Sequence, residues 1–376
     1  MKFVNVLFVV LLYCTHLSAQ VTLPNNLYFT HIGVEDGLCQ NTVCCILQDH
    51  LGFIWLGTKD GLTRYDGYRF RVFKHDAADP MSIGNNFIRV LYEDADGLIW
   101  IGTNVGVYIY NPETENFRKF DVATERGDVI SREVSSIKCD SSGDLWIGVN
   151  WQGVFRYDRR DESLELYEPV PGDTTSLSSI HVWDLCFDGD GNLWVGSQNG
   201  GLDRYDRETD RFVRHRLKGL SDVSRIVLDK QNQLLLGTMK DGLFSFNPYM
   251  GTCQPLLLDS GHKDLFVRAI FVRNSREVVV GTENGIYIYD CVTRKTRHVN
   301  QELGNPYSLS CKAVYSIYCD KEGALWIGTY FGGVNYLPPS SSLIFDKFYP
   351  IGHSDRLSGK AVREFVRDES GIIWIG

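Results

Sequence analysis

A glycine-rich phrase recurs eight times along the chain, and its spacing limits the fold more than any other feature. The first copy reads GFIWLGTKDGLTRYD from Gly52, the third GDLWIGVNWQGVFRYD from Gly143 and the seventh GALWIGTYFGGVNYL from Gly323. Aligned on the first internal glycine, the copies fall at Gly57, Gly102, Gly148, Gly196, Gly237, Gly281, Gly328 and Gly376, 41 to 48 residues apart. A period of that length accommodates one four-stranded blade. The third copy shows how: Val134 to Cys139, Leu145 to Val149, Val154 to Tyr157 and Leu164 to Tyr167 are short β-branched or aromatic runs bounded by Asp, Gly, Asn or Ser. Helical periodicity is absent.

The expected fold class is therefore all-β: a β-propeller of seven four-stranded blades, with an eighth repeat that breaks off at Gly376. An eight-bladed ring is the alternative. A ring leaves no open edge only if one end of the chain completes a blade begun at the other. Leu27 to His31 reads as an unattached outer strand suited to that task. In the seventh copy Pro338-Pro339 follow the third strand at once, so its own fourth strand is expected to start late. The tryptophans Trp55, Trp100, Trp146, Trp194, Trp326 and Trp374, one register of the second strand, are read as packing between blades. So are Tyr65, Tyr110, Tyr157, Tyr205, Phe246 and Tyr289 on the third strand.

Hydrophobic residues at 43% and charged residues at 23% fit a globular chain with a large core. A net charge of −9 with no block of Lys or Arg argues against binding nucleic acid or an anionic membrane. The N-terminus, MKFVNVLFVVLLYCTHLSAQ, has one basic residue, an apolar run and small residues before Gln20, the pattern of a secretory signal peptide over 1–19. A lipoprotein site at Cys14 is disfavoured by the bulky Tyr13. The propeller is then expected over 20–350 and the further repeat over 351–376. Nine cysteines remain, an odd number, so at least one thiol stays unpaired within a monomer.

Catalytic signatures are absent: no HExxH, no Walker A phrase and no nucleophile elbow. The Asp-rich turns Asp94-Ala-Asp96-Gly97 and Asp188-Gly-Asp190-Gly191 resemble the front of a calcium loop, but Val105 or Asn199 stands where a bidentate Glu is required. They are read as tight turns. No metal and no cofactor is expected.

Binding is better supported. The loops between second and third strands share a Gly/Thr frame but carry different tips, among them Trp151, Tyr330 and Phe331, with Asn and Gln nearby. Such aromatics suit the apolar face of a sugar, whose hydroxyls pair with planar amides and Arg. A second set lies at the start of each inner strand: Cys44, Arg89, Ser135, Trp183, Ser224, Arg268, Tyr315 and, in the eighth copy, Arg363. Purely structural positions would not vary among Ser, Arg and Trp. Their arginines fit a carboxylate or sulfate. The competing reading is that these side chains merely plug the channel. The candidate ligand-binding residues are thus Arg89, Trp151, Trp183, Arg268, Tyr315, Tyr330, Phe331 and Arg363.

GFIWLGTKDGLTRYDGYRFRVFKHD, the linkers DPMSIGNN and NPYSLSCKAV, and LWIGTYFGGVNY followed by SGKAVREFVRDESGIIWIG resemble the two-component regulator propeller repeats of hybrid two-component sensors. The resemblance implies a periplasmic sensor region. In that family two seven-bladed propellers and an immunoglobulin-like domain precede a membrane span, a histidine kinase, a receiver and a helix-turn-helix domain. It implies an oligosaccharide ligand, a homodimeric parent anchored in the inner membrane and no catalytic domain within these 376 residues. A secreted protein-interaction scaffold and a polysaccharide lyase are the alternatives.

Overall fold

The computed structural model describes residues 22–217, 220–257, 265–339 and 362–376. The expected leader lies outside them, as does the expected boundary at residue 350. Seven antiparallel four-stranded sheets follow one another around a ring. The seven inner strands are Val43–Gln48, Ile88–Glu93, Val134–Cys139, Val182–Phe187, Val223–Leu228, Val267–Val272 and Val314–Cys319. Each neighbours the next, and the last packs on the first. The single helical element among the described residues is the short 3₁₀ turn Val34–Asp36.

Closure comes from the N-terminal side. Thr30–Ile32 pairs antiparallel with the third strand of blade seven, Val334–Leu337, through Thr30 with Tyr336 and Ile32 with Val334. The orphan strand thus completes the ring. The outer position of that sheet is taken by the N-terminal strand; the late fourth strand expected after Pro339 falls outside the described residues. Phe29, 2% exposed, anchors the strand in a cluster with Leu337, Leu325 and Val279 of the last two blades.

The turn between first and second strands explains the recurring Asp and Trp together. In blade four Asp188 Oδ1 accepts the amides of Asp190 and Asn192, and Oδ2 accepts the Trp194 indole N–H at 2.8 Å. The same Asp–Trp bond joins Asp49 to Trp55, Asp94 to Trp100, Asp140 to Trp146 and Asp320 to Trp326. One carboxylate thereby caps the turn and satisfies the one polar atom of a buried ring. The calcium-like Asp turns are accordingly tight turns: the carboxylates of Asp94 and Asp188 are used on their own turn's amides.

Each tryptophan then meets the third strand of the following blade. Trp55 lies 5.0 Å from Tyr110, Trp146 4.7 Å from Tyr205, Trp194 5.4 Å from Phe246, and Trp326 6.0 Å from Tyr65, which carries the packing round the ring. Such aromatic pairs add about 0.5–1.5 kcal/mol each beyond area burial. Trp374 departs from the expectation of a core tryptophan. It sits in the two-stranded hairpin Phe365–Arg367 and Ile373–Ile375, bonds Asp368 at 2.9 Å as its counterparts do, and is 62% exposed. The local turn needs only its own residues, whereas burial needs a neighbouring blade's third strand.

The framework glycines are required by the next blade. A Cβ on Gly102 would lie 2.6 Å from Val134 Cγ1, on Gly237 2.6 Å from Val267 Cγ1, and on Gly281 2.6 Å from Val314 Cγ1. The β-branched residue opening each inner strand rests on the preceding blade's glycine, which is why both recur.

Candidate functional site

Every inner strand carries the same irregularity. Its first residue pairs with the end of the second strand, its third pairs with the framework glycine, and the residue between is bulged out: Cys44, Arg89, Ser135, Trp183, Ser224, Arg268 and Tyr315. A bulge bends the strand locally and re-aims a side chain. Seven bulges at one height direct non-repeating side chains toward the channel mouth, on the face that also holds the loops between second and third strands.

Six of those seven residues line one cavity of about 60 Å³, together with Glu133, Val134 and Arg225. Arg89 pairs with Glu133 at 2.6 Å, bonds Asn104 Oδ1 at 2.8 Å and lies over the Phe87 ring at 4.4 Å. Arg268 pairs with Glu283 at 2.5 Å between the rings of Phe266, 3.8 Å away, and Tyr315, 4.6 Å away. The Trp183 ring meets Phe266 edge-on at 6.1 Å, and its Nε1 is buried with no hydrogen-bond partner. Burial pushes the Cys44 thiol up to about 11, so it is neutral at physiological pH.

Blade five breaks the pattern. Its bulged Ser224 turns its hydroxyl onto the Val267 carbonyl of the next blade at 2.8 Å, and it is the following residue, Arg225, that lines the cavity. A bulge sets two residues against one, so a fixed count along the strand selects Ser224 and misses Arg225. The missed signal is a lone arginine beside that position. Glu133 and Glu283, the carboxylates that hold Arg89 and Arg268, lie in the blade linker and a loop tip and were also not among the expected residues.

The loop aromatics sit differently. Trp151 is 62% exposed, with φ of 68° and its ring edge-on to His181 at 4.0 Å. Tyr330 lies 5.1 Å from Tyr315 and 4.2 Å from Phe331, and Lys59 Nζ stands 4.1 Å from its ring centre, donating to its hydroxyl at 2.9 Å. Phe331 is 71% exposed. Tyr330 thus links the cavity rim to the open face, while Trp151 and Phe331 are on that face only. Arg363 is separate from both groups: it flanks the eighth-repeat hairpin, where its amide bonds the Gly376 carbonyl at 2.8 Å. Among the described residues no group of His, Cys, Asp or Glu is arranged to hold a metal ion.

Fold and mouth together define a seven-bladed β-propeller closed by an N-terminal strand, with one face built from a constant frame and variable tips. The two component regulator propeller family matches residues 37–60, 82–105, 176–199 and 308–331, and the chain carries two-component regulator propeller repeats. It is similar to the extracellular domain assigned to the hybrid two component system BT3049 of B. thetaiotaomicron, 28% identical with a TM-score of 0.79, over 93% of this chain and 47% of that one. The extracellular domain assigned to the hybrid two component system BT4673 of the same organism shares the fold at 22% identity and a TM-score of 0.72, again over 93% of this chain and 44% of that one. A histidine kinase of Formosa agariphila, Histidine kinase P4, is 39% identical over 59 residues, 16% of this chain and 4% of that protein. The chain spans about half the length of the solved domains it matches.

Proposed function

We propose that this propeller is the extracytoplasmic ligand-sensing region of a hybrid two-component sensor and that its ligand is an oligosaccharide, read by the face on which the variable loops and inner-strand bulges converge. The observation that carries the reading is the contrast within each blade. The framework glycine recurs in every blade, the Asp-capped turn in six and its tryptophan in five, yet the seven bulged positions and the loop tips differ in charge, size and aromaticity. A surface under only structural demands would repeat as the frame does. The resemblance to extracellular domains of hybrid two-component systems supports the sensing role. Output would reside in kinase and DNA-binding parts of a membrane-anchored homodimeric parent, and a ligand would shift that parent only by its differential affinity for two arrangements.

The mouth cavity is small, about 60 Å³. The oligosaccharide would lie across the face, stacking on Trp151 and Phe331 and reaching the rim at Tyr330 and Tyr315, with Arg268 and Trp183 beneath. Calorimetric titration with a panel of neutral and acidic oligosaccharides tests this. Saturable binding to one class, weakened about tenfold by Trp151→Ala or Phe331→Ala, is expected from the loss of one stacked ring. A folded protein that binds none of the panel would overturn the reading.

A further inference from the structure

The cavity at the mouth holds a charge imbalance that its own residues do not resolve. Three arginines line it, Arg89, Arg225 and Arg268. Two have carboxylate partners, Glu133 and Glu283. Arg225 does not: its hydrogen bond goes from Nη1 to the Ser224 carbonyl at 2.8 Å, and it makes no ion pair with a described carboxylate. The acid nearest in effect is Asp184, whose oxygens already accept the Ser136 hydroxyl and the amides of Leu185 and Ile226. Burial, and then the fields of Arg268 and Arg89, hold the Arg225 pKa below its ordinary value, with Asp184 opposing them. Trp183 lines the same cavity, and its Nε1 is buried without a hydrogen-bond partner.

We infer that this cavity is a binding site for one small oxyanion head, a carboxylate or sulfate, held by the Arg225 guanidinium and the Trp183 indole N–H with Arg89 and Arg268 at its rim. This deepens the sensing proposal and rests on it for the location: an acidic oligosaccharide lying on the face would set its charged group into the cavity and leave its rings outside. A guanidinium fork holds two oxygens of a carboxylate or sulfate in two hydrogen bonds, and an unpaired buried donor is costly, so occupancy satisfies both residues at once. A neutral sugar offers nothing that offsets Arg225.

The test uses thermal unfolding and calorimetry on the whole chain in low-salt buffer, with sodium sulfate, sodium acetate and a uronic-acid oligosaccharide, against sodium chloride at matched ionic strength. In the wild-type chain sulfate or acetate is expected to raise the unfolding midpoint saturably beyond the chloride control. Arg225→Met should abolish that rise. It should fold at least as stably without anion, since replacing an unpaired, half-buried charge by an apolar chain of similar length removes a desolvation cost. Trp183→Phe keeps the ring, removes the N–H and should weaken binding about fivefold. Binding of the uronic-acid oligosaccharide that disappears in Arg225→Met would identify a glycan-borne head. Response to the free salts alone would identify a free anion as the occupant. An unchanged midpoint with every anion, or an equal response in Arg225→Met, would overturn the inference. Neutral oligosaccharides that bind while no anion does would sink this site and leave the sensing proposal standing. An anion response with no oligosaccharide binding at all would do the reverse.

Discussion

Val43 closes the ring on Gly328. A Cβ on Gly328 would lie 2.8 Å from the Val43 carbonyl oxygen and 2.9 Å from its Cγ1, so the last blade meets the first through an approach that only glycine allows. The other six junctions repeat the contact, from Gly57 under Ile88 to Gly281 under Val314.

Gly102→Ala should therefore destabilise the protein by about 1–3 kcal/mol, because the added methyl has nowhere to go beside Val134 and Val90 in a packed junction. Urea unfolding reads the change. A coupled Gly102→Ala/Val134→Ala variant should recover part of the loss if the clash is the cause.

Asp188→Ala removes the acceptor for two turn amides and for the Trp194 indole. With four donors stranded, the Asn192 side-chain amide among them and the indole buried, the expected loss is about 2–4 kcal/mol in denaturant unfolding. Trp194→Phe, which removes the indole N–H but keeps an aromatic ring, should cost less.

Phe29→Ala tests closure. Its ring is buried among residues of blades six and seven, and its amide bonds the Tyr307 carbonyl at 2.9 Å. The expected cost is about 3–5 kcal/mol, against roughly 0.5 kcal/mol or less for the exposed Trp151→Ala. A small effect at Phe29 would mean that the N-terminal strand is dispensable for the ring.

Asp203 gives a pH dependence of definite sign. Burial raises its pKa to about 6, against the hydrogen bonds from the Ser178 amide at 2.9 Å and hydroxyl at 2.6 Å, and its Oδ1 is buried without a partner. Between the unfolded value near 4 and about 6 the native state holds a proton that the unfolded chain has released. Stability from this group therefore falls as pH rises through that window. Its cost is absent below about pH 4 and complete above about pH 6, on the order of 2–3 kcal/mol. In blade seven Asn335 stands at the same place, with its Oδ1 accepting the Ser310 amide and its Nδ2 donating to the Ser310 hydroxyl. Asp203→Asn should accordingly stabilise the protein at pH 7.5 and leave it little changed at pH 4, as measured by paired denaturant curves.

The repeat and the strand order within each blade were legible because each rests on local chemistry. Asp188 caps its turn and Trp194 bonds it within six residues, so the phrase announces a blade without help from the rest of the chain. Four of the candidates, Arg89, Trp183, Arg268 and Tyr315, line one cavity for the same reason, since a repeat places equivalent residues at equivalent heights. Arg225 was not legible, because the bulge in its strand is a property of backbone pairing and Ser224 is drawn off by a carbonyl of the next blade. Trp374 shows the same division: its turn is local, but burial of this tryptophan depends on a partner strand.

By itself the sequence determined the repeat, hence the propeller, the turn chemistry and the order of blades, since all of these are set within about fifty residues. Which side chains meet was decided only in the tertiary structure. Arg89 with Glu133, Arg268 with Tyr315, Lys59 with Tyr330 and Arg225 left without an acid arise where the ring brings blades together. Charge balance at the mouth is a sum over five or more blades, and no window of the sequence contains it.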